Sequence, residues 1–374
     1  MAYREADVNA NIPVSKIAHT FKTFETSDGG CIFRIPLEGF SGFWAYAYLV
    51  MVADYRVLID TGTGFGDSNA HLEAGFVQAS AELGEPVRFE DLTHILITHG
   101  HIDHFGGLAF LRPRTHARLG VHELDLRNLT NYEERILVVE RRLRNYLLEA
   151  GLSEARREEL INMYKINKVL FRSVPVDFTF EAEDMQLGPF EFLHVPGHCP
   201  GQVVIRLHDV LFSGDHVLSV ISPHQSPERL TLHTGLSHYI DSLALLEEWG
   251  GGARLTLGGH NDSIEDLRAR INEIRRLHAS RLRKTIEILE EPHTIAEVAE
   301  ALFHRTDGYD VLLAIEEAGA HVEYLYQRGL LGIANLGELE DHSGPVAIRY
   351  QRLNDPVTTR MNLLERPDWS VDFH

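Results

Sequence analysis

The sequence predicts an α/β protein followed by a smaller helical C-terminal domain, and three features predict it. Short apolar, β-branched runs in the first two-thirds of the chain end, one after another, in turns that carry glycine, aspartate or histidine. Helical periodicity interrupts those runs around residues 68 to 83 and again from about 122 to 169. From Ile264 onward the pattern is helical until a hairpin-like stretch over residues 346 to 350.

At 374 residues and 44% hydrophobic content, the chain can bury one large α/β core and a small second one. It has no apolar run long enough for a transmembrane helix, which needs about eighteen residues. The opening stretch MAYREADVNANIPV lacks the charged and apolar blocks of a secretory signal. Cys31 and Cys199 are the only cysteines, which makes no disulfide framework and fits a reducing compartment. A cytoplasmic location is expected. The net charge of −20 disfavours attraction to phosphate backbones. The expected partner is a small-molecule substrate, with neither nucleic acid nor membrane.

Taken in order, strand-like runs cover residues 31 to 36, 44 to 52 and 55 to 59. The last enters Asp60-Thr61-Gly62-Thr63-Gly64, which resembles a phosphate loop but lacks a Lys-Ser/Thr pair and dinucleotide-binding spacing. A tight turn that sets Asp60 beneath a metal site as a hydrogen-bond acceptor is the better reading. After the helix over 68 to 83, Thr93 to Ile97 reads as a buried strand, and His99, His101, Asp103 and His104 follow within six positions. A helix is expected to begin near Asp103, with Gly106 and Gly107 allowing close backbone approach. Imidazole with carboxylate suits zinc, iron or manganese better than calcium or magnesium.

Ile136, Val139, Leu143, Tyr146 and Leu147 then recur at helical spacing; Gly151 breaks the helix and Ser153 caps a second one through Tyr164. Such a pair serves as a lid, an oligomer face or a plain surface hairpin. Three further strand ends each present a ligand type beside glycine: His198 between Pro196-Gly197 and Pro200-Gly201, Asp215 after Gly214, and His260 after Gly258-Gly259. Tyr48, His216, Ser222 and His224 are expected to line the cleft as substrate contacts. A long helix over 265 to 289 ends at Pro292. Thr294 caps another through Leu302, and two more are expected over 311 to 318 and 322 to 331. With the hairpin, these are the parts of a winged helix. Between Arg281 and Tyr350 there are 13 acidic residues against 6 Lys/Arg, a balance of −7 that a DNA reader would not carry. A structural or homodimerising module is expected instead. The expected division is a catalytic domain over 1–280 with its helical insertion at about 122–169, a winged-helix-like domain over 281–352 and a tail over 353–374.

The ordered set Asp60, His99-x-His101-x-Asp103-His104, His198, Asp215 and His260 resembles the metallo-β-lactamase-fold hydrolases from about residue 30 to 280. The resemblance implies an αββα sandwich with two metal sites. His99, His101 and His198 would hold the first ion, Asp103, His104 and His260 the second, and Asp215 would bridge both. Gly214-Asp215-His216-Val217, Ile221-Ser222-Pro223-His224 and the C-terminal helices are similar to the glyoxalase-II-like and lactamase-beta-2-like members. The sequence departs from the pattern at Cys199, where a small hydroxyl or similar residue is usual, at Gly259-His260-Asn261, and in the length of the insertion. Cys199 reads as a small residue, or as a soft ligand or reactive thiol.

Two divalent ions, zinc first with iron or manganese as alternatives, would activate a bridging hydroxide and polarise the substrate, with Asp103 and Asp215 as catalytic carboxylates. Ligand imidazoles must be neutral, so acid below about pH 6 should strip the metal. Hydrolysis of a small ester-like substrate, a thioester, lactone or related acyl compound, is the leading expectation. Single-strand-specific RNA or phosphodiester cleavage, an iron-dependent persulfide dioxygenase-like reaction and a non-enzymatic winged-helix regulator are the alternatives.

Overall fold

The structure is a computed structural model that describes residues 19–168, 171–303 and 307–353. The chain forms two compact units. Of the described residues, one comprises 19–137, 168, 171–223 and 238–271; the other comprises 138–167, 224–237, 272–303 and 307–353.

The first unit holds two sheets. β1 (Lys22–Glu25), β2 (Cys31–Phe40), β3 (Phe43–Val52) and β4 (Tyr55–Ile59) form an antiparallel meander. Its turns are tight: Ser41-Gly42 joins β2 to β3 and Ala53-Asp54 joins β3 to β4, with Gly42 at φ 78° and Ala53 at φ 47°. Such left-handed residues are what two-residue hairpins demand. β5 (His94–Leu96), β6 (Arg118–Val121) and β7 (Phe178–Thr179) extend this sheet in parallel with β4. The second sheet is ordered β12 (Leu255–Gly258), β11 (Val210–Gly214), β10 (Val203–Leu207), β9 (Phe190–His194), β8 (Gln186–Leu187).

Alternation along the strands decides what each face buries. Tyr46, Tyr48, Val50, Val57 and Ile59 face Phe190, Phe192, Val203, Ile205 and Phe212 of the other sheet and make the inter-sheet core. The opposite side chains, Phe33, Ile35, Ala47, Leu49 and Leu58, pack with Leu72, Phe76 and Ala79 of α1 (Ser68–Leu83). α1 needs Gly75, since a Cβ there would strike Ile35, and it ends at Gly84 in the left-handed region. α2 (Ile102–Phe105), α3 (Leu108–Leu111) and α4 (Leu126–Thr130) follow the parallel strands. Against the second sheet lies α7 (Leu236–Trp249), with Ser242 Oγ donating to Pro196 O at 2.7 Å. Helix, sheet, sheet and helix give the αββα order.

The second unit contains most of α5 (Tyr132–Glu149), α6 (Glu154–Lys168), the main length of α8 (Leu267–Ile288), α9 (Ile295–Phe303) and α10 (Asp310–Gln327), then a ribbon of β13 (Leu331–Ile333) with β14 (Tyr350–Arg352), and α11 (Leu336–Asp341) between those strands. Thr294 and Glu297 form the capping pair that starts α9: Thr294 N donates to Glu297 Oε2 at 2.7 Å, and Glu297 N donates to Thr294 Oγ at 3.3 Å. The two helices expected over 311 to 318 and 322 to 331 are corrected to one, α10. Ala318-Gly319-Ala320 is buried there, and Gly319 continues the helix because a Cβ would strike the Tyr146 hydroxyl, which itself donates to Ile315 O at 2.9 Å. Among the described residues no helix is long and apolar enough to cross a membrane.

His224 Nε2 lies 3.0 Å from Glu316 Oε2 and Nδ1 lies 3.5 Å from Glu317 Oε2. Burial alone would lower this imidazole, but Glu316 and Glu317 outweigh it against Arg281 and raise it above its ordinary 6.5. A proton held more tightly by the folded state stabilises fully below the unfolded value, and that contribution fades as pH rises through the folded one. The stability lost in His224→Gln, measured by urea unfolding, should be largest near about pH 6 and shrink toward about pH 9. A loss that grew with pH would contradict this pairing.

Candidate metal centre

Strand direction brings the site together. β4, β5 and β6 run parallel, so Asp60, His99 and Asp125 follow C-terminal ends on one edge. β9 and β11 are each antiparallel to β10, and β11 is parallel to β12. The loops bearing His198, Asp215 and His260 therefore also leave one edge of their sheet. Cross-sheet bonds join the two edges: Val203 N to Thr98 O at 2.9 Å, Tyr46 N to Gly259 O at 2.8 Å and Tyr48 Oη to Gly258 O at 2.6 Å.

Seven side chains converge there. His99 Nε2 and His101 Nδ1 are 3.0 Å apart, and the His198 ring stands 4.6 Å from that of His101, so these three form one group. Asp103, His104, Asp215 and His260 form the second, with ligand atoms all within 4.8 Å of one another. His260 Nε2 lies 3.1 Å from Asp215 Oδ2 and 3.3 Å from Asp103 Oδ2. His104 Nε2 lies 3.5 Å from Asp215 Oδ1 and from Asp103 Oδ2. Asp215 Oδ2 is also 3.8 Å from His198 Nε2, so one carboxylate touches both groups.

Hydrogen bonds behind the rings choose their tautomers. Asp60, at φ 59°, accepts from Thr98 N and Thr98 Oγ at 2.8 Å each and from His104 Nδ1 at 2.9 Å. The Thr98 hydroxyl, spending its proton on Asp60, accepts from His99 Nδ1 at 3.1 Å. His260 Nδ1 donates to Trp44 O at 2.6 Å. His99, His104 and His260 thereby turn Nε2 inward, and in the neutral ring that nitrogen carries the lone pair. Burial opposes ionising Asp103 and Asp215, yet the facing His104 and His260 hold both carboxyls well below their usual range. Burial would likewise lower His260, but Asp215 and Asp103 push it up to about 10, so a cation would have to take the place of its Nε2 proton. Burial and the neighbouring imidazoles push His99 far down, so it stays neutral. His104 Nε2 and Asp215 Oδ1 are buried and face each other at 3.5 Å without a regular hydrogen bond. Gly259 leaves that space open, since a Cβ would collide with Asp215 Oδ1 and His104 Cε1. Imidazoles braced through Nδ1 with Nε2 facing inward, two ionised carboxylates and the open space between them suit divalent cations, so the donor set fits two ions.

The expected substrate contacts fare differently. Tyr48 is corrected: it is buried between the sheets against Phe212, with its hydroxyl spent on Gly258 O. His216 is corrected too, being fully buried beside Tyr239, where burial pushes it down to about 3. Ser222 is half-buried, next to Ile221, whose carbonyl accepts from Arg270. His224 belongs to the second unit and its Glu316 pair. Cys199 is buried with its thiol donating to Asp125 Oδ2 at 3.2 Å, and burial with that carboxylate raises it far above an ordinary thiol. A thiol so held is neither nucleophile nor soft ligand.

Four residues escape a reading of sequence alone. Phe43, at the β2–β3 hairpin tip, packs 5.4 Å from the His260 ring, and Phe40 and Phe65 continue the aromatic surface outward at 6.4 and 6.0 Å. Asp125 sits one turn past β6; the signal was a further strand end followed by an acid, masked by the helical pattern beginning there.

This fold and this site belong to a class of metal-dependent hydrolases. Residues 45–282 match the family model of the metallo-beta-lactamase superfamily, and the chain belongs to that superfamily. A metallo-beta-lactamase family protein from Thermus thermophilus is 26% identical, with a TM-score of 0.64 over 86% of this chain and 98% of that one. A beta-lactamase domain protein from Burkholderia ambifaria shares the fold at 24% identity and TM-score 0.64, over 88% and 94% of the two chains. A lactamase-like protein of Aspergillus niger is 24% identical over 287 residues, 75% of this chain and 68% of that protein.

His101→Ala and Asp215→Ala should each abolish turnover while circular dichroism shows the chain still folded. Full activity in a metal-depleted double variant would refute the ligand assignment.

Proposed function

We propose that the protein is a binuclear metal-dependent hydrolase of a small ester-like substrate: a thioester, lactone or related acyl compound. The observation that carries this is Asp215, which lies 3.1 Å from His260 and 3.8 Å from His198 and so joins the two ligand groups. His99, His101 and His198 would hold one ion, Asp103, His104 and His260 the other, with Asp215 shared. When bound, the ions supply Lewis acidity and an acidified water, so no serine or cysteine nucleophile is needed.

The chain's own groups do the remaining work. Asp103 has 16% of its side chain exposed against 9% for Asp215. It is the carboxylate open to the cleft, placed to accept a proton from the attacking water and return it to the leaving group. Asp215, more enclosed and facing His104 and His260, stays an anion throughout. Phe43 walls the cleft beside His260 and keeps water from that side. Phe40 and Phe65, 37% and 40% exposed, offer an acyl group apolar surface, and Phe65 also lines a cavity of about 300 Å³ with Phe105, Phe110 and Phe171. The net charge of −20 argues against an RNA backbone as substrate.

Zinc is the ion proposed, since imidazole and carboxylate suit it, and the compartment proposed is the cytoplasm. Glyoxalase-II-like and lactamase-beta-2-like members are the proposed subgroup. The second unit's run of α8, α9 and α10 with the β13–β14 ribbon supports reading it as winged-helix-like. Its acid excess supports a structural or homodimerising role over nucleic-acid binding.

Mass spectrometry of freshly purified protein should find close to two zinc ions per chain. A panel of thioesters, lactones and short RNAs should then show chelator-sensitive hydrolysis of acyl compounds only. Cleavage of single-stranded RNA without acyl hydrolysis, or oxygen-dependent turnover with iron alone, would overturn the proposal.

A further inference from the structure

Asp60 serves the rings of His99 and His104, but nothing described so far sets the backbone of the first ligand group. Its members come from separate loops: His99 and His101 follow β5, and His198 follows β9. Both loops rest on one buried carboxylate. Asp125 Oδ2 accepts from Gly100 N, between His99 and His101, at 2.7 Å. The thiol of Cys199, next to His198, donates to Asp125 Oδ2 and Oδ1 at 3.2 and 3.3 Å. Asn128 Nδ2 donates to Asp125 Oδ1 at 3.1 Å and braces it from α4.

The packing leaves no slack. A Cβ on Gly201 would stand 2.6 Å from Asp125 Cγ, and one on Gly100 would strike the Asn128 amide. Asp125 is itself anchored, since its N–H donates to His122 O at 3.0 Å, and the His122 ring stacks 3.8 Å from His194 at the end of β9. The carboxylate is fully buried, and its hydrogen bonds go to the backbone of Gly100 and Gly201, to Asn128 and to Cys199, with none to the seven ligand side chains.

We infer that Asp125 is a positioning residue that sets His99 and His101 against His198 and thereby tunes metal affinity at the first site alone. The inference rests on the metal-site reading above. Partners of this kind, which hold ligands without touching the ion, typically change affinity by about 10–100-fold when removed.

Cobalt(II) titration followed by visible absorption tests it. In a His260→Ala background cobalt reports the first site, and in a His101→Ala background the second. Asp125→Ala should weaken the first by about 10–100-fold and leave the second unchanged. Asp125→Asn keeps one acceptor oxygen and should give a smaller loss. Should Asp125→Ala not fold, Cys199→Val, which removes one tether, should weaken the first site selectively, while Cys199→Ser, which keeps a donor, should restore it. Unchanged affinity at both sites, or equal weakening of both, would overturn the positioning role. Absence of cobalt binding in the unmutated protein would instead sink the metal-site reading, and this inference with it.

Discussion

Two sheets meeting at their strand ends is the constraint on which the site depends. No single element carries a complete ligand group; each is assembled across the seam that Val203 N to Thr98 O and Tyr46 N to Gly259 O close. The seam has little freedom. Trp44 contributes both its carbonyl to His260 and a ring 5.3 Å from that of His71 on α1, so one β3 residue locks ligand, sheet and outer helix together.

Holding buried carboxylates at such a seam is costly unless every oxygen is satisfied. Asp60 and Asp125 meet that condition with hydrogen bonds from backbone, hydroxyl, imidazole, amide and thiol. Asp215 does not, because its buried Oδ1 makes no regular hydrogen bond and faces only the imidazole of His104, at 3.5 Å. The difference separates roles: carboxylates bonded to backbone, hydroxyl, amide and thiol hold the frame, and those facing only ligand imidazoles, Asp103 and Asp215, belong to the metal site. Breaking either framing carboxylate leaves donors stranded in the interior, a cost of about 1–3 kcal/mol for each.

A similar test distinguishes the second unit's buried cluster. His278, Glu317 and His321 bring three potential ligand atoms within 4.8 Å. There Arg281 Nη1 lies 3.0 Å from Glu317 Oε1, Gln225 N donates to Glu317 Oε2 at 2.7 Å, and His321 Nδ1 donates to Glu317 O at 2.8 Å. A guanidinium already supplies the positive charge a cation would bring. The cluster is a hydrogen-bonded link between α8 and α10, not a third centre.

Much of this was legible along the chain. The alternation of β3 and β4, the helical pattern of α1 and the six-position run from His99 to His104 are local signals that no packing partner has to supply. The candidate ligands were equally local signals, since His99, His101, His198, Asp215 and His260 each stand beside a glycine near a strand end. The single helix α10 was not legible, since its midpoint glycine is explained only by the Tyr146 hydroxyl from another helix. Tyr48 read as a cleft residue from an alternating strand and His216 from its place beside Asp215, while only the sandwich decides which face of a strand or turn is buried. Asp125 is the clearest case: its partners Gly100 and Cys199 lie 25 and 74 positions away. The sequence alone determined which side chains could bind metal. The tertiary structure decided which carboxylates hold the ligand loops in place, because that depends on distances between segments that local pattern cannot contain.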